Sequence, residues 1–210
     1  MKRLLTFSAL LAWCAALLAL RSAYARNGTF LFLLWNLFLA AIPFVAAEGF
    51  ARARWATARW PAFVVWLLFL PNAPYIVTDF IHLKARPPVP LWYDVLLLIS
   101  CAGTGLLLGY GSVMVVQRAI ARRWGVRAGW LVAAVSLVLS AFGIYLGRFV
   151  RFNSWEVLTD PLPLFADIAN RLMNPLDHPR TFAVTILYGV ALLLGYLGLH
   201  ALAEDDRLSS

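Results

Sequence analysis

The sequence predicts an all-α fold: a polytopic membrane helix bundle of six spans forming one transmembrane domain over residues 1–210, with the third span broken and a short interfacial helix near 161–173. Three observations predict it. Apolar residues make up 62% of the chain, against roughly 45–50% in soluble proteins. Only 13% of residues are charged, and they gather between long uncharged runs. Six such runs, at 4–20, 29–47, 61–83, 91–116, 129–147 and 182–203, each approach the ~20 residues that carry a helix across ~30 Å of hydrocarbon.

The first span opens after Lys2 and Arg3. Ala23-Tyr24-Ala25 behind it resembles a signal-peptide cleavage site, but the run is longer than the ~7–15 residues of a typical signal core, Arg21 intrudes, and five more spans follow. It is therefore read as a span. Arg52, Arg54 and Arg59 separate the second and third spans, and Arg118, Arg122, Arg123 and Arg127 the fourth and fifth. The positive-inside rule places these short turns, and with them both termini, in the cytoplasm. The net charge of +8 sits singly or in small groups at span ends, so it speaks for orientation and contact with membrane lipid, and not for nucleic acid. Cys14 and Cys101 lie inside apolar runs with no zinc or disulfide spacing, and read as small buried hydrophobes.

Pro61 opens the third span, where its missing N–H costs nothing. Pro71 and Pro74 then interrupt it. Each disfavours the α conformation at the residue before it, which directs Leu70 and Ala73 toward extended geometry and frees carbonyls that must face protein or water. Asn72, with two donors and an acceptor, is suited to satisfy them. A resumed helix would align Tyr75, Thr78, Asp79 and His82 on one face, opposite Ile76, Val77, Phe80 and Ile81. A carboxylate at mid-bilayer costs about 2.5–3.5 kcal/mol, so Asp79 either has a partner or sits at the outer boundary with His82.

On the same outer side, the fourth span begins at Trp92-Tyr93-Asp94, joined to the third through the stiff segment 87–90. The fifth span arrives there as residues 145–156. If that helix continues, Arg148, Arg151 and Trp155 share a stripe flanked by Phe152 and Glu156, and either arginine is free to pair with Asp79, Asp94 or Glu156. Asn72, Tyr75, Asp79, His82, Asp94, Arg148, Arg151, Asn153, Trp155 and Glu156 are thus the candidate ligand-binding residues, and Asp79, His82 and Glu156 the candidate catalytic ones. Asp79-x-x-His82 alone is too weak a pattern to assign a metal, and no cofactor is implied. For the arginines, recognition of an anionic head group, structural ion pairing and interfacial anchoring all stand. Ser154 lacks any nucleophile context.

Gly105-x-x-x-Gly109 and Gly143-x-x-x-Gly147 place small residues on one helical face each, the pattern of close helix packing within the chain or with a partner. In the long segment between the last two spans, Asp160-Pro161 starts a helix. Leu164, Phe165, Ile168 and Leu172 line one face, with Asp167, Asn170, Arg171 and Asn174 on the other, before Asn174-Pro175 ends it.

Three stretches resemble a known family: Leu70-Pro71-Asn72-Ala73-Pro74-Tyr75-Ile76-Val77-Thr78-Asp79, Trp92-Tyr93-Asp94, and Gly147-Arg148-Phe149-Val150-Arg151-Phe152-Asn153-Ser154-Trp155-Glu156. They are similar to the bacterial integral-membrane family called domain of unknown function thirteen-sixty-one. The resemblance implies a multi-span bacterial membrane protein and supplies no catalytic residue; the chain is expected in the bacterial inner membrane. The functional expectation is an outward-facing polar pocket for an anionic, lipid-linked or phosphate-bearing small molecule, in a binding or enzymatic role. The alternatives are a proton-coupled transporter built on the broken third span and a non-catalytic partner subunit.

Overall fold

Long apolar runs leave a backbone no solvent to bond with, so each closes its own hydrogen bonds as helix. A computed structural model, which describes residues 2–152 and 159–208, has that form. Helices α1 (Lys2–Ala25), α2 (Phe32–Arg52), α3 (Ala56–Phe69), α4 (Asn72–Tyr75), α5 (Leu91–Trp124), α6 (Val126–Tyr145), α7 (Pro161–Met173) and α8 (Pro179–Leu208) follow one another, with tight 3₁₀ turns at Ile76–His82 and Pro175–Asp177 and a wide π turn at Leu146–Val150. No strand occurs among the described residues. Six helical stretches there are long and apolar enough to cross a membrane, at Arg3–Ala25, Phe32–Arg52, Ala56–His82, Leu91–Trp124, Val126–Val150 and Pro179–Ala203, one for each span the sequence predicts.

Among the boundaries that differ from the hydropathy reading are the start of α3 and the end of α5. α3 begins at Ala56, so Pro61 lies inside the helix rather than at its start. Arg59 donates from Nη2 to the Ala53 carbonyl (2.6 Å) and so ties the helix to the preceding turn. α5 runs past residue 116 to Trp124 because nothing in Gln117–Trp124 breaks a helix. It stops where Gly125 takes φ +88° and ψ 161°, a conformation essentially confined to glycine, and bonds back to the Ala121 carbonyl (2.9 Å).

The chain divides into two compact units, Met1–Val116 and Gln117–Ser210. In the first, Leu18, Leu33, Leu97 and Ile76 gather with Cys14 and Cys101 in one buried core. Both thiols are free and buried, as small core residues should be, and Cys14 Sγ contacts Thr104 Oγ1 (3.4 Å). Trp66, wholly buried, donates to Ser112 Oγ (3.0 Å), which passes its own proton to the Gly109 carbonyl (2.7 Å). In the second unit, Ala133, Leu137, Ala141 and Ile144 of α6 are buried. Leu192 and Tyr196 of α8 are buried as well, and Tyr196 donates its hydroxyl to Gln117.

Candidate functional site

The two prolines of the third span bend the helix but do not unwind it. Leu70 keeps α geometry (φ −53°, ψ −40°), and Ala73 lies inside α4, so the expected extended residues are absent. The energies explain why. An unsatisfied carbonyl in hydrocarbon costs several kcal/mol, more than the crowding that a following proline imposes. Ala73 N–H reaches the Leu70 carbonyl (3.2 Å), Tyr75 N–H the Pro71 carbonyl (3.0 Å), and the Asn72 side chain donates from Nδ2 to the Phe69 carbonyl (3.0 Å). Asn72 thus satisfies a carbonyl at the bend, as the sequence suggested. Asn72→Ala strips that bond from a half-buried site and should lower stability by about 1–3 kcal/mol, read as a lower unfolding midpoint in detergent.

Beyond the bend the backbone tightens, and the period falls from 3.6 residues to 3. Ile76 and Asp79, three apart, therefore turn inward together, although a 3.6 period had set them on opposite faces. Asp79 is only 1% exposed and accepts a hydrogen bond on Oδ2 from Asn36 Nδ2 (2.8 Å). Thr78 is half-buried and bonds the half-buried Tyr75's carbonyl (2.7 Å). His82 is exposed, its ring edge-on to Phe32 and its carbonyl held by Arg86 Nη1 (2.8 Å). The four-residue stripe is not formed. Asn36, the partner that sequence reasoning missed, was legible as the one amide in the apolar run of α2.

Asp94 is likewise buried, and its partner is Arg21, the residue just past the apolar run 4–20. Arg21 sits four residues before the end of α1 and grips both carboxylate oxygens, Nε to Oδ1 at 2.6 Å and Nη2 to Oδ2 at 3.1 Å. Its third nitrogen reaches Asn27 Oδ1 (3.3 Å), and the guanidinium lies 4.5 Å from the Phe30 ring centre. Tyr93 donates its hydroxyl to the Leu17 carbonyl (2.9 Å), fastening the same two helix ends.

The glycine face of α5 is occupied by this chain itself. A Cβ at Gly105 would lie 2.4 Å from the Ala73 carbonyl oxygen, and one at Gly109 would lie 3.0 Å from the Ala73 Cβ. The face offered to a partner helix therefore seats the bent third span.

In the second unit, two polar residues of α7, Asp167 and Arg171, turn inward. Leu164, Asp167, Ile168 and Arg171 face the protein, while Leu162, Phe165, Leu172 and Met173 are exposed. Both faces of the sequence pattern are thereby divided: Asp167 and Arg171 turn inward beside Leu164 and Ile168, while Asn170 and Asn174 are exposed together with Phe165 and Leu172. Arg171 binds Asp167 in a bidentate fork (2.7 and 2.9 Å) and donates from Nη1 to Tyr145 Oη (2.9 Å) and Thr181 Oγ1 (3.1 Å). The bond to the Asp167 carboxylate raises its pKa further. One arginine thereby joins α7 to the end of α6 and the start of α8.

On this frame stand three more arginines. The π turn widens the end of α6 and carries Arg148, and Arg151 follows in left-handed geometry (φ +69°). The helix stops there, so Arg148 and Arg151 do not continue a helical stripe. The Arg180 guanidinium lies 4.2 Å from the Phe149 ring centre, and that ring packs on Tyr145 at 5.4 Å. Asn153, Trp155 and Glu156 lie outside the described residues. Among those described, no three His, Cys, Asp or Glu side chains gather closely enough to hold a metal ion.

Residues 35–194, most of the chain, match a family described as a protein of unknown function, DUF1361, and the chain belongs to that family. No curated protein and no solved structure matches it.

Proposed function

We propose that this DUF1361 member is an integral membrane protein that binds an anionic, phosphate-bearing and lipid-linked small molecule at the outer end of its fifth and sixth spans, with Arg148, Arg151 and Arg180 receiving the anion. The observation that carries the reading is the Arg180–Phe149 stack, set beside Arg148 and a left-handed Arg151. A non-glycine residue in that conformation costs about 1–2 kcal/mol, and such strain concentrates at ligand sites. Arg171 is already neutralised by Asp167, whereas among the described residues neither Arg151 nor Arg180 has a carboxylate in ion-pair reach. A stacked guanidinium presents a pre-organised fork to phosphate oxygens. The arginine-rich turns at the opposite span ends support an external position for this cluster.

The test is titration of the purified protein in nanodiscs with a short alkyl phosphate, the corresponding alcohol and inorganic phosphate. The alkyl phosphate should bind most tightly, and Arg151→Gln and Arg180→Gln should each weaken it at least about tenfold, the value of a charge-assisted bond. Equal affinity for the alcohol, or unchanged affinity in both variants, would sink the reading.

A second reading, proton-coupled transport, is favoured by one observation: Asp79 is a buried carboxylate on a bent span. It requires that Asp79→Asn abolish substrate flux driven by a pH gradient in proteoliposomes while leaving binding of the alkyl phosphate intact.

A further inference from the structure

In the first unit α2 and α3 form a hairpin whose membrane-facing side is not flat. The alanines 41 and 46 of α2 and Ala62 of α3 are too small to fill the space between the helices, and an apolar groove of about 450 Å³ runs between Ile42 and Val45 on one side and Val65 on the other. Along α2 it extends from Phe38 to Ala46, eight steps of ~1.5 Å or ~12 Å, close to the ~15 Å depth of one leaflet's hydrocarbon. It starts ~9 Å from the end of α2 at Arg52, six residues beyond Ala46.

Past that end the chemistry changes in a fixed order. Trp55, which opens α3, is among the most exposed aromatics, at 76%, and an exposed tryptophan at a span end belongs at the lipid glycerol level. Next to it stands Arg54. Arg52 is paired with Glu48 (2.7 Å), and Arg59 is spent on the Ala53 carbonyl. Among the described residues Arg54 has no ion pair or hydrogen bond, and it is exposed. Chain-deep groove, interfacial tryptophan and available guanidinium follow the order of a phospholipid's own parts: acyl chain, glycerol and phosphate. A second protein helix in the groove would match the first part and leave the cation unanswered.

We propose that the α2–α3 hairpin is a binding site for an anionic phospholipid of the leaflet that contains its turn, with one acyl chain in the groove and the phosphate on Arg54. The site is independent of the arginine cluster at the end of α6.

The experiment is native mass spectrometry of the full chain released from nanodiscs of equimolar phosphatidylglycerol and phosphatidylethanolamine. The wild-type protein should carry bound phospholipid enriched in phosphatidylglycerol. Arg54→Gln should retain the lipid but lose about fivefold of that preference, the worth of one basic residue near a membrane surface. Val45→Trp fills the groove from a side chain already exposed and outside the core, and Ala41→Phe fills it from its floor. Each should strip the bound lipid. The proposal is overturned if both filled variants carry lipid as the wild type does, or if Arg54→Gln leaves the lipid ratio unchanged. It is also overturned if the groove variants dissociate a protein dimer without altering bound lipid, which would give the groove to a second copy of the chain.

Discussion

Arg21→Ala is expected to cost about 3–5 kcal/mol of stability, the penalty for leaving one member of a buried ion pair alone. The size follows from the geometry. Arg21 is 2% exposed and Asp94 is fully buried, and both carboxylate oxygens are held by one guanidinium. Removing the arginine abandons a charged carboxylate between the end of α1 and the start of α5. Arg21→Lys should recover only part of the loss, because a point charge cannot reproduce the two-nitrogen fork or lie flat on Phe30. Replacing both partners together, Arg21→Met with Asp94→Leu, should fall nearer to wild type than either single change, since a pair of apolar groups leaves no buried charge. Denaturant titration of the detergent-solubilised protein measures each of these variants. A loss for Arg21→Ala under about 1 kcal/mol, the range of exposed pairs, would show that the contact does not hold the two helix ends.

That pair also marks the limit of what the sequence discloses. Span number and the bend at Pro71 were legible because hydropathy and proline act locally. Partners were not. A charge at a span end reads as an orientation signal, and nothing in the string distinguishes Arg21, buried against Asp94, from Arg26 a turn later, exposed at the end of α1. The inward side of α7 was not legible for a related reason. Lipid is as apolar as any core, so periodicity alone does not say that Phe165 and Leu172 face outward while Leu164 and Ile168 of the same stripe turn inward beside the Asp167–Arg171 pair. The inward turn of Ile76 with Asp79 failed on period alone, because the sequence shows that a helix resumes after Pro74 but not that it resumes as a 3₁₀ turn.

The bend is held from behind by α5, and the glycines there grade the contact. At Gly105 a methyl group would sit 2.4 Å from the Ala73 carbonyl oxygen and 3.1 Å from Ile76 Cδ1, so the backbone of the bent segment itself has to move. Gly105→Ala should therefore lower stability by about 1–3 kcal/mol, the usual cost of overpacking, and Gly105→Leu by more. Gly109→Ala meets the Ala73 side chain at 3.0 Å, which a shift of a few tenths of an ångström relieves, and its loss should be smaller. Gly103→Ala meets nothing within 4 Å and should be neutral or stabilising by up to about 1 kcal/mol, since alanine is the better helix former. Unfolding midpoints that depart from the order 103, 109, 105 would refute the seating of the third span on this face. The same displacement reaches function: Ala73 and Ile76 precede Asp79 by two turns or less, and pushing them outward pulls its carboxylate from Asn36. Gly105→Ala should thus mimic Asn36→Ala in any assay that depends on Asp79, while Gly103→Ala leaves that assay unchanged.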